Sequence, residues 1–258
     1  MGTMVHTHDN KSMLGQGILI FIYLAILTAL EFFVAISFNS VPLLVVVALV
    51  KAGLVVYYYM HVYKLNLDSE LDDASYNYKA GTNRLGLWLF LISDTFVFAG
   101  LMAARVNLLG LSRPELSQTL GLIVTAVLLI SSFFMNRGET LIQNGNRKGF
   151  LTNTAVTFIL GLAFLLGVVL VEWRLAIEEG LTPSSGPAGA VFFMMTGMHA
   201  FHVFTGLILL AIVWINGRRG LYDVKSYPVE AAAVYWHFVD VVWIFFYPAL
   251  YLIGTAVH

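Results

Sequence analysis

Cysteine is absent from the 258 residues, which excludes a disulfide framework, an iron–sulfur cluster, a c-type haem attachment and a thiolate-bridged copper centre. Any metal would have to be held by the seven His and the carboxylates. Charge is scarce: Asp, Glu, Lys and Arg make up 11% of the chain, and 14 Lys and Arg nearly cancel 15 Asp and Glu. No basic surface for nucleic acid follows from such a balance. Internal repeats are lacking, and so is an A-x-A-like cleavage site after the first apolar stretch, which Lys11 precedes. That stretch reads as a retained helix and not as a removed signal peptide. What the chain does have is apolar bulk, with 59% hydrophobic residues and a mean hydropathy of +0.82, far above the values of soluble domains. It reads as an integral membrane protein.

A helix needs about 20 apolar residues to cross a hydrocarbon core roughly 30 Å thick. Seven segments qualify, near 17–38, 41–63, 85–104, 116–135, 151–172, 189–215 and 231–254. They are too long and too uniformly apolar for barrel strands, which alternate over about ten residues. The expected fold is therefore all-α, with seven transmembrane helices. Ten of the cations fall on the N-terminal side of the membrane (Lys11, Lys64, Lys79, Arg84, Arg137, Arg147, Lys148, Arg218, Arg219, Lys225), against Arg105, Arg113 and Arg174 on the other. By the positive-inside rule the N-terminus is cytoplasmic. The longest connection, about 64–84, carries Asp68, Glu70, Asp72 and Asp73 beside its cations and reads as a solvated connector between two modules.

Function is sought among the ionisable groups inside the spans, because each is costly there unless paired or hydrated. These are Glu31, Lys51, His61, Asp94, Glu172, His199, His202, His237 and Asp240. Glu31 and Lys51 lie on consecutive antiparallel helices at depths that differ by only about 3 Å, given a rise of 1.5 Å per residue, so a structural ion pair is expected. His61, among Tyr57, Tyr58, Tyr59 and Tyr63, reads as an interfacial anchor, and Glu172 beside Trp173 and Arg174 as an interface cluster. Asp94 is roughly 14 Å deep in its span, with no cation within a turn or two. Asp240 reaches a similar depth, with His237 three residues earlier on the same helical face. These groups, with His199 and His202, are candidates for one buried polar layer. A three-His metal site is geometrically open, but His199 and His202 crowd one turn and nothing in the spacing demands a metal; interhelical hydrogen bonding or lipid contact is the simpler reading. The residues alone leave transporter, sensor and accessory subunit open. A retinal protein is excluded, because the seventh span has no lysine for the Schiff base.

Particular motifs go further. The run Tyr235, Trp236, His237, Phe238, Val239, Asp240, Val241, Val242, Trp243 closely resembles the last helix of subunit III of haem-copper terminal oxidases. Gly197, His199, His202, Val203 and Gly206 resemble the same family's TG-x-H-x-x-HV-x-x-G helix. The segment NRLGLWLFLISDTFVFAG at 83–100 resembles its W-L-F-L-x-S-E helix, with Asp94 where the family usually has the longer Glu. Lys51, Leu54, Val55, Val56, Tyr59, Met60 and His61 resemble the K-x-x-L-V-V-x-x-F-M-H pattern of the small prokaryotic oxidase subunit IV. The resemblance divides the chain into a subunit IV-like hairpin (1–66), a linker (67–82) and a five-helix subunit III-like bundle (83–258).

The resemblance implies a non-catalytic integral membrane subunit of a respiratory oxidase that reduces dioxygen to water and pumps protons. Haem and copper would reside in the partner subunits I and II and none in this chain. The chain would pack on subunit I, bind phospholipid, support proton uptake, and reside in a prokaryotic cell membrane, with a larger respiratory supercomplex as a further setting. Asp94, His237 and Asp240, with His199 and His202, are the expected polar layer. Arg84, Trp88, Arg218 and Lys225 are the expected lipid headgroup contacts. A nitric oxide reductase accessory subunit and an independent proton or ion transporter are the alternatives, with a histidine-ligated redox protein behind them.

Overall fold

A computed structural model describes residues 6–37, 41–55, 76–222 and 227–257. His61, Lys225, most of the expected linker and the distal part of the expected second span lie outside the described residues. In chain order the elements are α1 (His6–Ser37), α2 (Val41–Leu54), α3 (Tyr76–Leu109), β1 (Ser112–Pro114), α4 (Gln118–Gln143), α5 (Arg147–Leu166), α6 (Trp173–Glu178), α7 (Pro187–Arg218), α8 (Tyr227–Tyr247) and β2 (Thr255–Val257). Six helical segments among the described residues are long and apolar enough to cross a membrane; α2 is apolar but shorter, at 14 residues.

The helix ends follow local chemistry. Ser117 Oγ accepts from the Leu120 amide at 3.3 Å and Asn146 Oδ1 from Gly149 at 2.9 Å, so each caps the first turn of its helix. Gly145, at φ +75°, takes the left-handed conformation that turns α4 straight into α5. Pro187 occupies the first turn of α7, where a missing amide costs nothing. Two π-helical turns interrupt the ladder: Gly167–Glu172 joins α5 to α6, and Pro248–Leu252 extends α8.

The helices extend beyond the spans expected from hydropathy. α3 begins at Tyr76 and ends at Leu109, and α4 continues eight residues past 135 to Gln143. Hydropathy locates the apolar middle of a span, whereas helical hydrogen bonding continues into the polar interface.

α8 is the axis of the bundle. Trp236, Trp243, Tyr247 and Tyr251 on α8 and its π turn are fully buried, and glycines make room for them. A Cβ built on Gly161 would lie 2.4 Å from Trp236 Cη2, and one on Gly206 would lie 2.9 Å from Trp236 Cε3. Two small residues thus sandwich one indole, a close approach of the kind that membrane helices use in place of a hydrophobic driving force. α1 packs on α4, and α2 on α1 and α8. At one end β2 pairs in parallel with β1, Ser112 opposite Thr255. Many large apolar side chains, such as Phe96, Ile159 and Phe201, point outward, as expected of a surface that meets lipid or protein and not water.

Candidate functional site

The groups expected to share one polar layer divide into separate sites. On α3, Asp94 faces α7, where its Oδ2 lies 2.9 Å from His202 Nε2. His202 Nδ1 is 2.8 Å from the Met198 carbonyl. A carbonyl can only accept, so Nδ1 carries a proton and the ring presents Nε2 to the carboxyl. Phe98 closes over His202 edge to face, with ring centres 4.7 Å apart. Nearby, Tyr235 Oη and Thr205 Oγ1 are hydrogen-bonded at 2.6 Å.

Asp240 lies elsewhere. It is buried on α8, where Lys51 of α2 and Ser132 of α4 are the polar groups that act on it. Lys51 itself ion-pairs with Glu31 of α1, and both side chains are fully shielded. His237, one turn before Asp240, places Nδ1 3.3 Å from Ser132 Oγ. His199 belongs to neither group. It stacks on Trp243 at 4.8 Å between ring centres, with Phe164 and Phe246 also against it, and neither ring nitrogen has a hydrogen-bond partner among the described residues.

A ladder of hydroxyls joins α4 to α8. Trp236 Nε1 donates to Ser131 Oγ at 3.1 Å and Trp243 Nε1 to Thr125 Oγ1 at 2.9 Å. The two tryptophans are seven residues apart and their acceptors, Thr125 and Ser131, six, both close to two turns, which lines up donors and acceptors on facing helices. That spacing is the readable signal for Thr125 and Ser131, whereas Trp236 and Trp243 already stand in the motif of the last helix.

Glu172 is not part of an interface cluster. It is buried, accepts a short hydrogen bond from Tyr251 Oη, and leaves Arg174 to pair with Glu178 on the exposed side. The π turn over Gly167–Glu172 shifts the register, so Glu172 faces inward while its neighbour Arg174 faces outward. Arg105, counted above among loop cations, is also buried. Its guanidinium donates to the carbonyls of Ala249, Gly110, Ser112 and Ile253, tying the ends of α3 and α8 and the β1–β2 pair together. Among the described residues no group of three or more His, Cys, Asp or Glu is placed to hold a metal ion.

The expected headgroup contacts are placed unequally. Arg84 holds Glu230 with both arms of its guanidinium at 2.8 Å, joining α3 to α8. Arg218 lies over the Trp214 ring at 5.0 Å, and its carbonyl accepts from Arg147. Trp88 lines an apolar cleft of about 620 Å³ between α2, α3 and α8. Leu49, Ala52 and Gly53 form one wall, Leu91, Thr95 and Phe98 the second, and Phe238, Val242 and Phe246 the floor.

Comparison with known proteins fits this arrangement to a family. The profile described as cytochrome c oxidase subunit III matches residues 17–255, running through the first hairpin as well as the bundle. The quinol oxidase subunit 3 of Bacillus subtilis is 34% identical over 199 residues, 71% of this chain and 95% of that protein. The cytochrome c oxidase subunit 3 of Thermostichus vulcanus is 35% identical over 177 residues, 66% of this chain and 86% of its own length. That of Oryctolagus cuniculus is 34% identical over 186 residues, 67% of this chain and 70% of its own. The chain belongs to the cytochrome c oxidase subunit III family, and is a multi-pass membrane protein that serves as an accessory, non-catalytic subunit of a haem-copper oxidase.

Proposed function

We propose that this subunit packs against subunit I of its oxidase, with subunit II in the same complex. In this reading it holds phospholipid acyl chains in the cleft between α2, α3 and α8, and it supports proton uptake through Asp94 and His202. Haem and copper belong to the partner subunits. The cleft carries the reading: it is walled almost wholly by aliphatic and aromatic side chains, and hydroxyl-bearing Thr95 spends its proton on the Leu91 carbonyl at 2.7 Å. A surface of that kind matches an acyl chain and offers nothing to a polar substrate. Trp88 at the cleft, with Arg84 near the start of α3 and Arg218 at the end of α7, supplies amphipathic and cationic groups for headgroups, and Lys225, outside the described residues, is counted with them by its place in the sequence. Arg84 does so while already engaged by Glu230.

The topology we assign has seven spans, with the N-terminus on the cytoplasmic side of a prokaryotic cell membrane. The hairpin (1–66), the linker (67–82) and the bundle (83–258) are its modules. The likeness of the hairpin to subunit IV rests on its Lys51-to-His61 pattern, while the family match that begins at residue 17 counts it with the bundle. Its closure by Glu31 and Lys51 supports treating it as a unit.

Gly53→Phe tests the cleft. A Cβ at Gly53 meets nothing within 4 Å, and the cleft of about 620 Å³ that Gly53 lines has room for a ring. The expected result is an assembled oxidase that retains less phospholipid per complex through purification. Unchanged lipid content in an assembled variant overturns the lipid assignment.

A further inference from the structure

We propose that Glu31, Lys51 and Asp240 form a second buried site, separate from Asp94, that binds a proton, and that Asp240 is the carboxyl that carries it. Three titratable side chains from three helices meet here, with exposures of 0% for Glu31 and Lys51 and 1% for Asp240. One ammonium serves two carboxyls. Lys51 Nζ is committed to Glu31 Oε2 and acts on Asp240 across the α2–α8 contact. Neither oxygen of Asp240 has a hydrogen-bond partner among the described residues.

The other groups around Asp240 do not add a fixed positive charge. α4 offers the Ser132 hydroxyl, whose oxygen is shared with His237 Nδ1. The buried titratable group of α4, Glu139, lies two turns further along and accepts from Gln143, while Arg137 of the same helix is exposed. α7 offers His199, held against Trp243, and α3 offers Asp94, turned to His202. Further along α8, Tyr247 approaches Glu31 and has a hydroxyl without a partner among the described residues.

With both carboxyls ionised, the cluster carries a net charge of −1 in a compartment without water contact. A buried carboxylate needs several donors to replace its hydration, and Asp240 has none in hydrogen-bond geometry. Binding one proton makes the cluster neutral and converts Asp240 from a group that requires donors into one that can donate. The proton belongs on Asp240 and not on Glu31, because Glu31 has the direct ion pair with the ammonium. The cluster also lies directly behind the cleft wall: Ala52 and Gly53 beside Lys51, and Val241 and Val242 beside Asp240, face the cleft.

The test is infrared absorption of the whole oxidase purified with this subunit, with and without carbonyl-13C aspartate. A protonated aspartyl carbonyl band, shifted by the label, is expected in the parent complex, with the intensity of one carboxyl lost in Asp240→Asn and reduced in Glu31→Gln, where Lys51 and an ionised Asp240 alone are already neutral. Should Asp240→Asn fail to assemble, Asp240→Glu keeps an acid in place, and its replacement band is expected to ignore the aspartate label. Absence of any labelled protonated carboxyl band in the parent complex overturns the proposal. So does a labelled band unchanged in Asp240→Asn, and so does a protonated carboxyl band that ignores the aspartate label and is lost in Glu31→Gln, which would put the proton on Glu31. Asp94 carries the same label but is left intact in the Asp240 variants and in Glu31→Gln, so the band these variants change is not its own, and failure here leaves the preceding function intact.

Discussion

α8 and α3 cross the same bundle and are held in it by different forces. In α8, 78% of the apolar window is buried inside the protein; in α3 the figure is 11%. α8 is fixed by shape, its indoles seated between glycines and its donors met by hydroxyls of α4. α3 is fixed at points: Arg84 to Glu230 at one end, Asp94 to His202 in the middle and Arg105 to backbone carbonyls at the other end. Where lipid is as apolar as the protein, burying aliphatic surface gives little preference for helix over lipid, and packing fit or polar pairing has to decide. A helix with lipid or a partner subunit on most of its circumference keeps only the second option.

The largest effect should come from breaking the shape-fitted helix. Trp236→Ala empties the space between Gly161 and Gly206 and leaves Ser131 Oγ without its indole donor. The expected loss is ~3–5 kcal/mol, read as a lower unfolding midpoint of the subunit in detergent or as its dissociation from the oxidase. A loss below ~1 kcal/mol would mean that lipid or neighbouring side chains fill the gap, and that α8 is not held by fit.

A smaller effect is expected at the middle staple of α3. Asp94→Asn keeps the shape of the side chain and removes its ionisable group, so packing should fall by only ~1 kcal/mol, in the range measured for polar contacts between membrane helices. Assembly and initial oxygen consumption should persist, while proton uptake, followed with a pH-indicator dye, slows. Loss of the whole complex would make Asp94 a packing residue and remove it from the proton path.

How far the sequence could be read follows the same division. The spans are legible because they depend on composition along one chain, and the Glu31–Lys51 contact is legible because a hairpin turn sets the relative depth of two consecutive helices. Asp94 and Asp240 have similar depths, yet they face α7 and α2 respectively, since rotation about each helix axis depends on packing against helices distant in sequence. Glu172 illustrates a different limit. A π turn rotated it inward, and no residue type announces such a turn. Arg105 was misplaced because α3 continues past its most apolar stretch, carrying a cation inward to carbonyls contributed by the far end of the chain.

The smallest expected effect sharpens the comparison most. Arg84 and Glu230 meet through two hydrogen bonds of 2.8 Å, in the fork geometry that favours an Arg–carboxylate pair. Their side chains are still 25% and 14% exposed, so water and salt weaken the attraction. Glu230→Gln should therefore cost less than ~1 kcal/mol, because an amide oxygen can still accept from the guanidinium. The salt response is more informative than the magnitude. The parent protein should lose some thermal stability as salt is raised, and Glu230→Gln should be less sensitive, since screening acts on exposed charge pairs and leaves buried fits alone. Equal salt sensitivity in both proteins would mean that the pair contributes no net attraction, and that α3 is held at this end by the Tyr227 hydroxyl donating to the Asn83 carbonyl at 2.7 Å.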